Sequence, residues 1–215
     1  MLKERNIFLC NNAGEELAAL LKQIKYSKVC VIVDENTREH CLPRVISHLS
    51  EPLIIEVKSG EENKTLATCQ HIWSMMTDAS FDRHGLVINL GGGVIGDMGG
   101  FCASTYKRGI KFIQVPTTLL SQVDASVGGK LGVDFDGFKN HIGVFSDPTA
   151  VIIDNIFFNT LPEREIRSGY AEVLKHCLIA DKNRWESLKG KSINEVDLLE
   201  IAGHSIEVKA KVTAA

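Results

Sequence analysis

The segment GGGVIGD at residues 91–97 follows directly on the apolar run Leu86-Val87-Ile88-Asn89-Leu90, and no other stretch restricts the fold so tightly. A short continuous apolar run reads as a buried strand, and clustered glycines leaving it read as a sharp turn into a helix. With no side chains at Gly91, Gly92, Gly93 and Gly96, a pyrophosphate can approach the backbone N–H groups that open the next helix. Gly91, Gly93 and Gly96 also satisfy the GxGxxG spacing of dinucleotide sites. Two supporting features are missing, however. That turn ordinarily follows the first strand, whereas strand candidates at 29–33 and 53–57 precede it here, and the next strand, 111–115, does not end in an acid. A strand-to-helix turn that needs glycine only for packing stays open as the alternative.

Around this turn, strand-like runs alternate with helical patterns. Helices are expected near 15–24 and 38–49, at 66–79, and from the glycine turn to about 106, with a short one near 119–127; strands are expected at 29–33, 53–57, 86–90, 110–115 and 150–153. That order is α/β, and continuous apolar strands suit a parallel sheet covered on both faces. Leu66, Cys69, Ile72, Trp73 and Met76 make one stripe at helical spacing and read as core. The glycine-rich stretch 128–143 reads as a hairpin or an ordered loop. Thr160-Leu161-Pro162-Glu163 carries a Thr-x-x-Glu box with an early proline, which announces a helix. No strand-like run follows it, so the expected organisation is a nucleotide-binding α/β domain over 1–161 and the start of a helical domain over 162–215.

A chain of 215 residues, 44% of them hydrophobic, can bury one substantial core and part of a second. Its net charge of −3, with both signs mixed along the chain, argues against nucleic acid as a partner. MLKERNIFLCNN lacks the apolar core of a signal peptide, and no apolar run approaches the roughly 18 residues of a membrane span. A soluble cytoplasmic protein without a membrane partner is expected. The six cysteines lie far apart, without a CxxC pair, and most sit among apolar neighbours, so they read as buried reduced thiols.

Cations gather beyond the glycine turn: Lys107, Arg108, Lys111, Lys130, Lys139 and Lys175. Each taken singly reads as solvated surface. Lys130 follows Gly128-Gly129, though, and Lys139 precedes Asn140 and His141, in loops whose backbone can close around a ligand. Ammonium groups with an Arg fork suit a substrate that carries both phosphate and carboxylate. Asp124 and Glu172 place acids near these cations. Glu172 and His176 lie four apart on one helical face, which permits joint metal ligation, although such pairs are more often plain helix surface.

Taken together, GEENK (60–64), GGGVIGD (91–97), YKRG (106–109), PTTLLSQVDASVGGK (116–130), FKNHIG (138–143) and GYAEVLKH (169–176) strongly resemble the 3-dehydroquinate synthases, a family of sugar-phosphate cyclases. The resemblance spans nearly the whole chain. It implies a Rossmann-like nucleotide-binding α/β domain followed by an all-helical domain, with the active site between them, as in iron-type alcohol dehydrogenases and glycerol dehydrogenase. It also accounts for the displaced fingerprint. By the resemblance, Asp34, Asn36, Glu61 and Lys64 face the adenosine half of NAD. Gly93, Val94, Ile95, Gly96 and Asp97 receive the pyrophosphate and nicotinamide ribose, and Thr117 and Thr118 add hydroxyl donors. Lys139, Phe157 and Thr160 complete the cofactor contacts, with Phe157 and Phe158 standing where more polar residues are expected, so that these contacts fall to backbone. Lys130 lies where cofactor and substrate meet.

The implied substrate is 3-deoxy-D-arabino-heptulosonate 7-phosphate, contacted by Arg108, Lys130, Lys139, Asn140 and Lys175, with Asp124 an acid near the reacting alcohol. Glu172 is the implied metal-binding carboxylate, completed in the family by two histidines around Zn2+ or another divalent ion such as Co2+. The implied reaction is a lyase cycle: NAD-dependent oxidation of a ring hydroxyl, loss of phosphate, return of hydride, ring opening and aldol closure to 3-dehydroquinate. Family members are longer, and the sequence stops at VKAKVTAA, before the region expected to carry both histidines; His176 and His204 read as poor substitutes. The expectation is therefore a fragment of a homodimeric enzyme that binds NAD weakly and turns over nothing alone. A related cyclase, a polyol dehydrogenase and a non-catalytic NAD-binding module are the competing readings.

Overall fold

A computed structural model describes residues 6–125 and 128–213. Six strands, β1 (Ile7–Cys10), β2 (Val29–Asp34), β3 (Leu53–Val57), β4 (Leu86–Gly91), β5 (Lys111–Pro116) and β8 (Ala150–Asp154), form one parallel sheet in the order β1-β8-β5-β4-β2-β3. Between β5 and β8 the chain makes a separate antiparallel hairpin, β6 (Lys130–Phe135) and β7 (Phe138–Phe145). The ambiguous stretch 128–143 is thus a hairpin.

The sheet is apolar on both faces because both are covered. Along β4, Val87 packs with Ile32, Ile55, Met98 and Phe112 beneath α3 (Leu66–Asp78) and α4 (Gly93–Thr105). Its neighbour Ile88 faces the other way, with Leu17 of α1 (Ala13–Leu21), Val31, Val33, Ile113 and Ile152. Cys69, Ile72 and Met76 of the predicted stripe are fully buried, and Leu66 and Trp73 pack at its margin. Every cysteine is a free thiol, and all but Cys10 are buried.

The C-terminal stretch is helical: α5 (Glu163–Ala180), α6 (Lys182–Leu188) and α7 (Leu198–Thr213). These helices have a cluster of their own, in which Val173, Cys177, Leu188 and Ile201 meet Leu119, Val123 and Phe158 from the loops that follow β5 and β8. Among the described residues no helix is long and apolar enough to cross a membrane.

Four local expectations are corrected. The edge strand β1 has no counterpart in the sequence reading, since IFLC is too short to show a period and gains its pairing only from the distant β8. The helix expected near 38–49 is instead α2 (Glu35–His40), followed by two 3-10 turns, Leu42–Arg44 and Ile46–His48; Asp34 caps α2, and Pro43 lacks the N–H needed to continue it. The Thr160 box does not form: Pro162 is the cap of α5 and no side chain bonds there, because Thr160 is already the last residue of a 3-10 helix, Asn155–Thr160. Finally, the helix near 119–127 is a wide π turn at Ser121–Ala125, and residues 126 and 127 lie outside the described residues.

Candidate functional site

The order of the sheet places the switch in winding direction between β2 and β4, where loops leaving the carboxyl ends of adjacent strands diverge and leave a crevice. A cleft of about 750 Å³ opens there. Its wall takes Asp34 and Asn36 from the end of β2, Glu61 and Lys64 from beyond β3, and Gly93, Val94, Ile95 and Asp97 from the glycine turn. Thr117 and Thr118 follow from β5, and Phe157 and Thr160 from β8. Gly92 caps α4 with no side-chain hydrogen bond, so the first N–H groups of that helix are left for a ligand. Gly96 sits beneath this turn against Gln114, whose amide donates to the Gly96 carbonyl at 2.9 Å. Asp34 has a second duty: its Oδ1 accepts from the Thr37 N–H at 2.7 Å and from the Thr37 hydroxyl at 2.9 Å. Phe157 is buried in the core, as its apolar side chain dictates.

A second cleft, about 500 Å³, adjoins the first, and both are lined by Asp97 and Asn140. Lys130, Asp124 and Lys209 complete its polar wall. At the junction Lys64, 2% exposed, donates from its ammonium to Asp97 Oδ2 and to Asn140 Oδ1, each at 2.6 Å. Burial pushes the Asp97 carboxyl above its ordinary range; Lys64 opposes that shift, and the Glu61 and Asp124 charges add to it.

Asp124 projects from the π turn, a distortion frequent at functional sites, and pairs with Lys209 through both its carboxylate and its main-chain carbonyl. Among the described residues, ligand atoms of Asp124, Glu172 and His176 all lie within 4.8 Å of one another. His176 is buried, its Nε2 lies 3.2 Å from Glu172 Oε1 and its Nδ1 3.1 Å from the Ser205 hydroxyl. Burial holds the imidazole below the usual histidine range, against the pull of the Glu172 charge, and so favours the neutral form that a metal ion needs. Two carboxylates and a neutral imidazole, with a hydroxyl orienting the far ring nitrogen, suit a divalent cation.

Not every expected residue reaches the clefts. Among the described residues, Gly96, Arg108, Lys139, Glu172 and Lys175 line neither. Arg108 is exposed beyond α4 at φ +69°, Lys139 pairs at 3.4 Å with Glu61, and Lys175 pairs with Glu172. Conversely, Lys209 was not singled out from the sequence. Its signal was faint: in the run Glu207-Val208-Lys209-Ala210-Lys211, only its place on the half-buried face of α7, beside exposed Lys211, separates it from surface lysines. His176, set aside from the sequence, is in ligand reach.

Comparison with known proteins gives a consistent picture. Residues 54–168 match the model of the 3-dehydroquinate synthase N-terminal family. A 3-dehydroquinate synthase of Parabacteroides distasonis is 38% identical over 216 residues, covering 98% of this chain and 61% of the relative. The chain therefore spans about three fifths of that protein's length. Among solved structures, a 2-epi-5-epi-valiolone synthase from Streptomyces hygroscopicus with NAD+ and Zn2+ bound is 25% identical, with a TM-score of 0.84 over 95% of this chain and 60% of its own. A 2-deoxy-scyllo-inosose synthase complexed with carbaglucose-6-phosphate, NAD+ and Co2+ has a TM-score of 0.85 at 22% identity, over 97% of this chain and 60% of its own.

Proposed function

The chain belongs to the 3-dehydroquinate synthase family, and we propose that it holds NAD in the larger cleft and 3-deoxy-D-arabino-heptulosonate 7-phosphate in the smaller one, for phosphate-eliminating cyclisation to 3-dehydroquinate. The observation that carries this reading is the shared wall: Asp97 and Asn140 border both clefts, so a nicotinamide and a sugar ring have adjoining places. A cleft of about 750 Å³ is of the size that small-molecule and cofactor pockets take. The same reading makes the protein a cytoplasmic, homodimeric lyase of the shikimate route to chorismate and the aromatic amino acids.

When bound, NAD supplies a reversible hydride acceptor, and a divalent ion such as Zn2+ at Asp124, Glu172 and His176 supplies Lewis acidity. The chain's own residues orient and neutralise. Lys130 and Lys209 set positive charge on the wall of the smaller cleft, where the carboxylate and phosphate of the substrate need it. With Asp124 Oδ1 held by Lys209, Oδ2 is the oxygen left to face the ion beside Glu172 and His176. Asn140, on the common wall, offers a neutral donor between the two ligands.

Calorimetric titration with NAD, then with a phosphonate analogue of the substrate, tests the reading. Saturable binding of both is expected; NAD binding without any response to the analogue identifies a nucleotide-binding module instead. Phosphate release from the sugar phosphate, with added zinc, then separates a catalyst from a binding protein.

A further inference from the structure

Lys64 is buried, and among the described residues no other lysine or arginine is. An ammonium is kept from water only where acceptors replace its hydration, and here two do so, Asp97 on α4 and Asn140 on β7. The main chain closes the arrangement. The Asp134 N–H donates to the Lys64 carbonyl at 2.9 Å, beside an isolated bridge between Thr65 and Asp134. Asp134 Oδ1 in turn accepts the Asn140 N–H at 2.8 Å, and Asn140 Oδ1 accepts from the Lys64 ammonium. Lys64, Asp134 and Asn140 therefore form a closed ring of hydrogen bonds, with Asp97 attached at the ammonium.

The ring decides how Asn140 is turned. An ammonium can only donate, so the carboxamide must give Lys64 its oxygen, and the two Nδ2 hydrogens are directed away from it. Asn140 also sits at φ +50°, in the left-handed region that asparagine tolerates. We propose that Lys64 is a positioning residue: it fastens the β6–β7 hairpin to α4 and presents the Asn140 carboxamide donor side first to an anionic substrate. This rests on the reading that the smaller cleft takes such a substrate. A lysine that merely neutralised Asp97 needs none of the bonds to the hairpin.

The test uses Lys64→Met, Lys64→Arg and Asn140→Asp in the 215-residue chain, with hydrogen exchange of the Asp134 and Asn140 amides and nuclear magnetic resonance of the Asn140 side-chain NH2 pair, before and after inorganic phosphate. In Lys64→Met both amides exchange at least about tenfold faster, and the NH2 pair moves and loses its response to phosphate; Lys64→Arg restores the response in part. Asn140→Asp keeps an acceptor for the ammonium but has no donor, so the Asp134 amide stays protected within about threefold of wild type. Unchanged exchange and an unmoved NH2 pair in Lys64→Met overturn the proposal. Should Lys64→Met not fold, Asn140→Ala opens the same ring from the hairpin side, and wild-type exchange at Asp134 in that variant overturns it equally. If the wild-type chain binds neither NAD nor phosphate, the reading of the clefts fails, while the exchange data still decide whether Lys64 holds the hairpin.

Discussion

Asp97 shows how much one residue's surroundings add to its identity. In sequence it is the last letter of a glycine motif; in the structure it is a partly buried carboxylate that compensates a buried lysine 33 positions away. Removing it by Asp97→Ala leaves that cation with one neutral partner, and the loss in urea denaturation should be on the order of 3 kcal/mol, the scale for breaking a buried pair. His176 makes a second prediction. Its folded pKa lies below the ordinary 6.5, mainly through burial, so the neutral ring favours folding fully above pH 6.5 and that contribution is lost as pH falls through the folded value. The denaturation midpoint of wild type should therefore drop below pH 6.5 more steeply than that of His176→Gln. The thiols are a third case. Burial pushes Cys30 up to about 12 and Cys41 up to about 11, and burial beside Asp154 raises half-exposed Cys10 to about 12. A thiol reagent at pH 8 should thus label the folded chain at none of these three and label all six cysteines after unfolding. The composition of their neighbourhoods already suggested inert thiols. Nothing local could reveal that Lys64 is buried or that Lys209 meets Asp124, because those pairings join segments 33, 76 and 85 residues apart.

Among elements, the five strands β2, β3, β4, β5 and β8 and the helices α3 and α4 were legible, since their periods are set by burial on a sheet with two covered faces. Elements governed by chain stereochemistry or distant pairing were not. Pro43 cuts a helix that hydrophobic spacing alone would continue, and β1 exists only because β8 is there to pair with it. Contact between α5 and the turn after β5 is equally specific. A Cβ at Gly169 would stand 2.4 Å from the Leu120 backbone nitrogen and 2.6 Å from the Leu119 Cβ, so backbone, rather than a flexible side-chain tip, would have to yield. Gly169→Ala is expected to cost about 1–3 kcal/mol in chemical denaturation. Since α5 also carries Glu172 and His176, the same substitution should weaken zinc binding measured by calorimetry.

At the scale of the molecule, the site is assembled at one rim of the sheet from residues as far apart as Asp34 and Lys209. Individual motifs announced a nucleotide and an anion. That their loops converge follows from strand order, which no local pattern encodes. NAD at one hundred times its dissociation constant should stabilise the folded chain by about 2.7 kcal/mol, read as a rise in the thermal midpoint. The wall formed by Asp97 and Asn140 carries a last consequence. On the proposed reading two occupants share this pair of side chains, and whatever factor the first imposes on the affinity of the second, the second must impose on the first. Titrations begun from opposite sides then close a single cycle, and a substitution at Asp97 or Asn140 alters the wall of both chambers at once.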